Sequence, residues 1–120
     1  MPKYLTLEQS IELLNAVDGN NKQRDYCILT LFLNCGLRVS EMAGLNYNDI
    51  HSDGTMRVVG KGNKERLVPM GQMACEWVEK YLQEARPQLY KTATDYLFLT
   101  QHGGIMSRQN FWYAIKRYAL

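Results

Sequence analysis

Two basic residues in this 120-residue chain stand where a cation has chemistry to do. Arg38 lies in Cys35-Gly36-Leu37-Arg38-Val39-Ser40-Glu41-Met42, between an almost wholly apolar run and the apolar Met42, Ala43 and Leu45. An unpaired guanidinium is costly in apolar surroundings, so it requires an anion. Two are available: Glu41 in a structural pair, or a phosphate from outside, whose oxygens a planar five-donor fork can grip two at a time. The plainer alternative is a solvated side chain or a partner for a helix dipole. Lys61 lies in Gly60-Lys61-Gly62-Asn63-Lys64-Glu65-Arg66, where the glycines and asparagine suit a tight reversal. That places one lysine on a thin projection able to enter a groove of DNA, with Lys64 and Arg66 at its base in reach of phosphates. Here the plainer alternative is a solvated turn. The run is no Walker loop, because no Gly-x4-Gly-Lys-Ser/Thr follows a strand and opens a helix.

Other residues with reactive side chains read more simply. His102 stands in His-Gly-Gly, a turn composition. Tyr113 and Tyr118, beside Phe111, Trp112 and Ile115 at helical positions, read as core or flank residues rather than nucleophiles. Glu41 reads as a structural partner for a basic neighbour, not as an acid catalyst. The three cysteines, Cys27, Cys35 and Cys75, cannot pair completely and lack zinc-site spacing, and His51 and His102 supply no His-x3-His partner. They read as reduced thiols, two of them buried in one helix, which implies no metal site and an intracellular, cytoplasmic protein.

The elements that must position Arg38 and Lys61 follow from periodicity and punctuation. Thr6 and Gln9 form a capping box for a helix carrying Leu7, Ile11 and Leu14, which ends near Asp18-Gly19-Asn20-Asn21. A second helix is expected from about Lys22 to Asn34, apolar nearly all round and therefore buried, with Gly36 as its C′ residue. Ser40 can cap a short third helix to about Gly44, and Asn48-Asp49 marks a turn. Met56-Arg57-Val58-Val59 and Arg66-Leu67-Val68-Pro69 alternate as strands. A helix from about Gln72 to Ala85 places Ala74, Val78, Tyr81 and Leu82 on one face, and Pro87 stops it. Tyr96-Leu97-Phe98-Leu99 is a short strand or extended segment. Ser107 caps a last helix that turns Phe111, Ile115 and Tyr118 to the core. The expected class is α+β, mostly helical, with a small antiparallel hairpin packed beside helices.

Length fits a single domain with no repeat or linker. No apolar run approaches the roughly 18 residues of a membrane span, and no apolar h-region follows Met1-Pro2-Lys3-Tyr4. A net charge of +2 does not by itself announce a nucleic-acid partner. Placement says more: Lys61, Lys64 and Arg66 cluster on the hairpin, and Arg108, Lys116 and Arg117 on the last helix.

The order of these motifs is more specific than any one of them. Leu5-Thr6-x-x-Gln9, then Leu29-x4-Asn34-x-Gly36-Leu37-Arg38-Val39-Ser40-Glu41-x-x-Gly44-Leu45, then Asp49-Ile50, resembles the opening of the tyrosine-recombinase catalytic domain of the phage integrase family, most closely its Xer-like branch. Gly60 to Pro69, Leu97-Phe98-Leu99 and Ser107-Arg108-Gln109-x-Phe111-Trp112 continue the match in register. The resemblance implies a site-specific recombinase, in which a tyrosine attacks a DNA phosphodiester to leave a 3′-phosphotyrosine and a free 5′-hydroxyl. A 5′-hydroxyl of the partner duplex then reverses the step, without ATP, metal or small-molecule cofactor. By position Arg38 corresponds to the first catalytic arginine, which binds the non-bridging oxygens, and Lys61 to the hairpin lysine that protonates the leaving 5′-oxygen. Lys64, Arg66 and Arg108 would contact double-stranded DNA, with the full-length protein a tetramer on two DNA sites.

The chain departs from the family by omission. The His-x-x-Arg motif, the later His or Trp and the nucleophilic tyrosine lie downstream of a helix resembling Phe111 to Ala119, and the clamping helical domain lies before Leu5. Residues 1–120 are therefore expected to be the amino-terminal part of a catalytic domain, inactive alone. The ending at Ala119-Leu120, with neither cap nor charged tail, reads as cut. The alternative function is a non-catalytic DNA-binding module. A purely structural domain would leave Arg38 and Lys61 unused.

Overall fold

The first helix seen, α1 (Lys22–Asn34), has the bounds its composition predicts. The computed structural model describes residues 22–91, 93–100 and 102–118, with residues 117 and 118 described by backbone alone. The Thr6–Gln9 capping box, its helix, the turn at residues 18–21 and the side chain of Tyr118 lie outside the described residues. Cys27, Ile28, Leu29 and Leu31 are all buried, and so are Arg24, Asp25 and Thr30. A polar group can be buried only with its hydrogen bonds made. Thr30 Oγ1 donates to the Tyr26 carbonyl at 2.7 Å. Arg24 donates through Nε and Nη2 to Asp25 Oδ1, at 3.0 and 2.9 Å, and through Nη1 to the Leu99 carbonyl at 3.2 Å. Gly36, at φ 67°, turns the chain out of α1, and the N–H groups of Cys35 and Leu37 both return to the Leu31 carbonyl, at 3.2 and 3.3 Å.

A short helix, α2 (Val39–Ala43), follows, then a 3₁₀ turn (Tyr47–Asp49) and the antiparallel strands β1 (Thr55–Val59) and β2 (Glu65–Pro69). In their register Thr55 pairs with Pro69, Arg57 with Leu67 and Val59 with Glu65. Met56 and Val58 point into the core; Leu67 is exposed on the opposite face.

Helix α3 (Gly71–Lys80) buries Ala74 and Val78, half-buries Leu82 in the turn beyond it, and stacks Trp77 on Tyr26 of α1 at 4.4 Å between ring centroids. The helix was expected to stop before Pro87. Instead it widens into a π turn over Tyr81–Ala85 and resumes as α4 (Arg86–Leu89). Proline in a regular helix loses a hydrogen bond and strikes the carbonyl four residues back. In the π turn the Arg86 N–H bonds to the Tyr81 carbonyl instead, which shifts the register just before the ring. Arg86 then donates to the carbonyls of Thr94, Tyr96 and Leu97 and lies over the rings of Tyr47 and Tyr90.

The 96–99 segment forms no regular strand: it bends at Leu97 and makes only single bridges, Asn46 with Tyr96 and Leu99 with Ile105. Gly103 turns it at φ 85°, so close to residues 89–91 that a Cβ there would lie 2.9 Å from the Leu89 carbonyl. Helix α5 (Arg108–Tyr118) starts as expected: Ser107 Oγ accepts the Asn110 N–H at 3.2 Å, and Asn110 Oδ1 accepts the Ser107 N–H at 3.0 Å. Phe111 and Ile115 are buried, Phe111 edge-on to Phe98 at 5.5 Å. Among the described residues no helix is long and apolar enough to cross a membrane, and no cluster of His, Cys, Asp or Glu is set to hold a metal ion.

The three thiols are free. Only Cys27 is buried within a helix by the standard expected of two. Cys35 falls just past the end of α1 and is half-buried, its Sγ 3.6 Å from the Met70 carbonyl, and Cys75 is half-buried in α3.

Candidate active site

Arg38 is the N-cap of α2, with extended backbone (φ −77°, ψ 153°). The cap was expected at Ser40. It falls two residues earlier because the Glu41 carboxylate reaches back to the Arg38 N–H at 2.9 Å, while the N–H groups of Glu41 and Met42 both bond to the Arg38 carbonyl at 3.0 Å. Ser40 is left exposed on the helix. Leu37, Val39, Met42 and Leu45 are buried around this turn, yet the Arg38 side chain is exposed and has no acid partner among the described residues. Of the two anions open to it, Glu41 is already engaged elsewhere.

Glu41 is buried and pairs with Arg66 of β2. Arg66 Nη1 donates to Oε2 and Nη2 to Oε1, the second at 3.2 Å. The Arg66 hydrogen bond holds the Glu41 carboxyl below its ordinary pKa against the opposing effect of burial, and the Arg38 N–H adds to the lowering. Glu41 is thus the structural partner of a basic residue, as expected, but that residue's guanidinium comes from the hairpin. The sign of the pH effect follows. A carboxylate whose folded pKa is depressed stabilises the protein fully above its unfolded value of about 4.3, and that contribution is lost as pH falls through the folded value. Thermal unfolding followed from neutral pH into this acid range should show a shallower loss of Tm for Glu41→Gln than for the parent chain. Parallel curves would mean that the pair carries no such contribution.

Lys61 opens a 3₁₀ turn (Lys61–Asn63) in which Gly62 and Asn63 take φ of 74° and 58°. The Gly60 N–H closes the loop on the Lys64 carbonyl at 2.8 Å. Lys61, Lys64 and Arg66 are exposed. The tip does not stand far from Arg38: a Cβ on Gly60 would lie 3.3 Å from Glu41 Oε2 and 3.7 Å from Arg66 Nη1. The residue next to Lys61 therefore rests on the carboxylate that caps Arg38. Arg108 is exposed at the start of α5, and Lys116 is exposed further along it. Tyr113 is exposed on the flank, its hydroxyl accepting from Gln109 at 3.3 Å.

A second carboxylate repeats the pattern. Asp49, also buried, caps the Asn46 N–H at 2.9 Å and accepts Arg57 Nη1 of β1 at 3.1 Å, while Arg57 Nη2 bonds Glu65 across the hairpin. Neither arginine–carboxylate link was foreseen. The signal was the capping-box spacing of Arg38-x-x-Glu41 and Asn46-x-x-Asp49, which marks both acids as N3 residues but does not say which cation would meet them.

The arrangement offers one exposed guanidinium and one exposed ammonium, held by neighbouring elements. Both suit a phosphodiester, the first as a bidentate anchor and the second as a proton donor.

The Phage integrase family matches residues 3–120 of this chain. The tyrosine recombinase XerD of Proteus mirabilis is 46% identical over 124 residues, a match covering 100% of this chain and 40% of that protein. The tyrosine recombinase XerC of Caldanaerobacter subterraneus subsp. tengcongensis is 43% identical over 117 residues, covering 98% of this chain and 33% of that protein. The chain thus spans about two-fifths or less of these relatives' length. The fold is like that of XerA recombinase, at a TM-score of 0.83 and 24% identity over 98% of this chain and 42% of that one. It is also like XerH bound to its palindromic difH substrate, at 0.78 and 23% identity, covering 98% and 35%. The lambda integrase catalytic core scores 0.66 at 18% identity, with 99% of this chain covering 71% of the core. With a family match running over nearly every residue and relatives this similar along its whole length, the chain belongs to the phage integrase family, the tyrosine recombinases.

Proposed function

We propose that this segment supplies the first half of the active site of a site-specific recombinase, which cuts and rejoins double-stranded DNA through a 3′-phosphotyrosine. The observation that carries the reading is the Glu41 carboxylate, which caps Arg38, pairs with Arg66 and underlies Gly60. Through it a free guanidinium and the neck of the Lys61 hairpin are parts of one unit. In this reading Arg38 holds two non-bridging oxygens of the scissile phosphate and offsets the charge that develops as the bond to tyrosine forms. Lys61 enters the groove and gives its proton to the departing 5′-oxygen. Lys64, Arg66 and Arg108 grip flanking phosphates, Arg66 with the donors that Glu41 leaves free. The phosphotyrosine conserves the energy of the broken bond, so the cycle needs no ATP, metal or small-molecule cofactor. The nucleophilic tyrosine and the His-x-x-Arg residues are not among these 120. The whole enzyme works in the cytoplasm as a tetramer on two DNA sites.

The 120-residue chain should bind duplex DNA with a Kd of roughly 10⁻⁴ to 10⁻⁶ M at physiological salt. Replacing Lys64 and Arg108 together by alanine should flatten the plot of log K against log salt by about two units. An unchanged slope removes both from the interface. Incubated with a nicked suicide duplex, the same chain should form no covalent adduct, whereas a longer recombinase that includes this segment should form one. Duplex binding with no adduct from the longer protein would favour a non-catalytic DNA-binding module. An adduct on Tyr113 or Tyr118 of the short chain would overturn the assignment of those tyrosines to the helix flank.

A further inference from the structure

The hairpin that carries Lys61 has little to hold it by itself. Two strands alone are marginal in water, and the side chains of β2 are exposed apart from the half-buried Val68. Met56 and Val58 anchor β1 in the core, and a pair of buried carboxylates fixes the ribbon nearer its tip. Glu41 and Asp49 are each the third residue of a capped helical turn, and each returns one oxygen to the cap N–H at 2.9 Å. Each also accepts an arginine from the hairpin, Arg66 of β2 onto Glu41 and Arg57 of β1 onto Asp49. In the strand register Arg57 stands opposite Leu67 and Val58 opposite Arg66, so the two arginines belong to adjacent pairs and lie on opposite faces of the ribbon. Arg57 also crosses to Glu65, the first residue of β2 after the turn. The ribbon is therefore gripped on both faces, within a few residues of the tip, by groups whose own positions are set by the backbone of α2 and of the Tyr47–Asp49 turn.

We propose that Arg57 and Arg66 are positioning residues for Lys61: together they aim the hairpin so that the lysine ammonium reaches the leaving oxygen of the bound phosphodiester. This rests on the proposed role of Lys61 as proton donor. The phosphate bound by Arg38 and the oxygen protonated by Lys61 belong to one group. Their separation must therefore be constant, and the Glu41 pair supplies the direct link between the two elements. The Asp49 pair prevents rotation of the ribbon about that link. Neither arginine transfers a proton; in the cleavage step each acts through Lys61, and rates are read at saturating DNA so that the flanking-phosphate contact of Arg66 does not enter them.

The test uses an active recombinase carrying this segment and two cleavage substrates, one ordinary and one with sulfur at the 5′-bridging position. A thiolate leaves without a proton, so the second substrate bypasses Lys61. On the ordinary substrate Arg57→Ala and Arg66→Ala should each slow cleavage by up to about 10²-fold, the scale of a misplacement near one ångström. Most of that loss should disappear on the sulfur substrate, as it should for Lys61→Ala. Arg66→Lys should fall between, since an ammonium keeps the charge but cannot span both Glu41 oxygens. The lysine variants at both positions serve where an alanine variant fails to fold. If Lys61→Ala is rescued by sulfur but the arginine variants are not, the bracing role is overturned and the proton-donor role stands. If Lys61→Ala is not rescued, the proton-donor role falls and the bracing proposal with it.

Discussion

Arg38→Ala, made in an active recombinase that carries this segment, should lower DNA cleavage by about 10²- to 10³-fold, the usual effect of removing one stabiliser of transition-state charge. The loss should be the same whether the leaving atom is oxygen or sulfur, because negative charge develops on the non-bridging oxygens in both cases. Lys61→Ala should also slow cleavage of the ordinary linkage, but recover on the 5′-bridging sulfur substrate. Single-turnover rates on the two substrates check this directly. Equal rescue of both variants, or of neither, would contradict the division of roles. Folding is not expected to confuse the result. The Arg38 side chain is exposed, and its structural contribution to the cap runs through its backbone N–H, which alanine retains.

The largest effect on stability is expected at Tyr81. Its ring is fully buried beside Phe98, and its hydroxyl donates to the Leu97 carbonyl at 2.8 Å while accepting the Leu99 N–H at 3.1 Å. Burial pushes the phenol well above its ordinary pKa, so it remains a donor across the working pH range. Tyr81→Phe removes one oxygen and leaves the buried Leu99 N–H without its acceptor, while the Leu97 carbonyl keeps Arg86 Nε, for a loss of about 1–3 kcal/mol. Tyr81→Ala also opens a cavity, and about 3–5 kcal/mol is expected by analogy with other buried aromatics. A domain of this size has roughly 5–15 kcal/mol in total, so the alanine variant should be near the edge of folding. Urea unfolding should show a lower midpoint for Tyr81→Phe at unchanged slope. A shift within about 0.5 kcal/mol, the range of ordinary surface changes, would mean that the Leu99 N–H finds another acceptor.

Much of the fold could be read along the chain because the forces concerned are local. The bounds of α1, the Gly36 closure, the two strands, the Gly60–Lys64 reversal and the Ser107 cap each depend on residues within a few positions of one another. So does the placing of Arg38 at the break after α1 and of Lys61 at a hairpin tip, the pair to which the family resemblance gives its proposed roles. What could not be read depended on neighbours distant in sequence. Along the chain Glu41 reads as the partner of a basic neighbour, with Arg38 the one named. It is paired with Arg66, 25 residues away, only because the hairpin folds onto α2. Arg24 and Asp25, polar letters in an apolar helix, are buried because Leu99 arrives to accept the third bond. Pro87 is a local stop signal that a π turn, held by the buried Tyr81, overrides. Propensity and spacing constrain where a backbone turns. Which charge meets which is an electrostatic choice among groups that only the packed chain brings together.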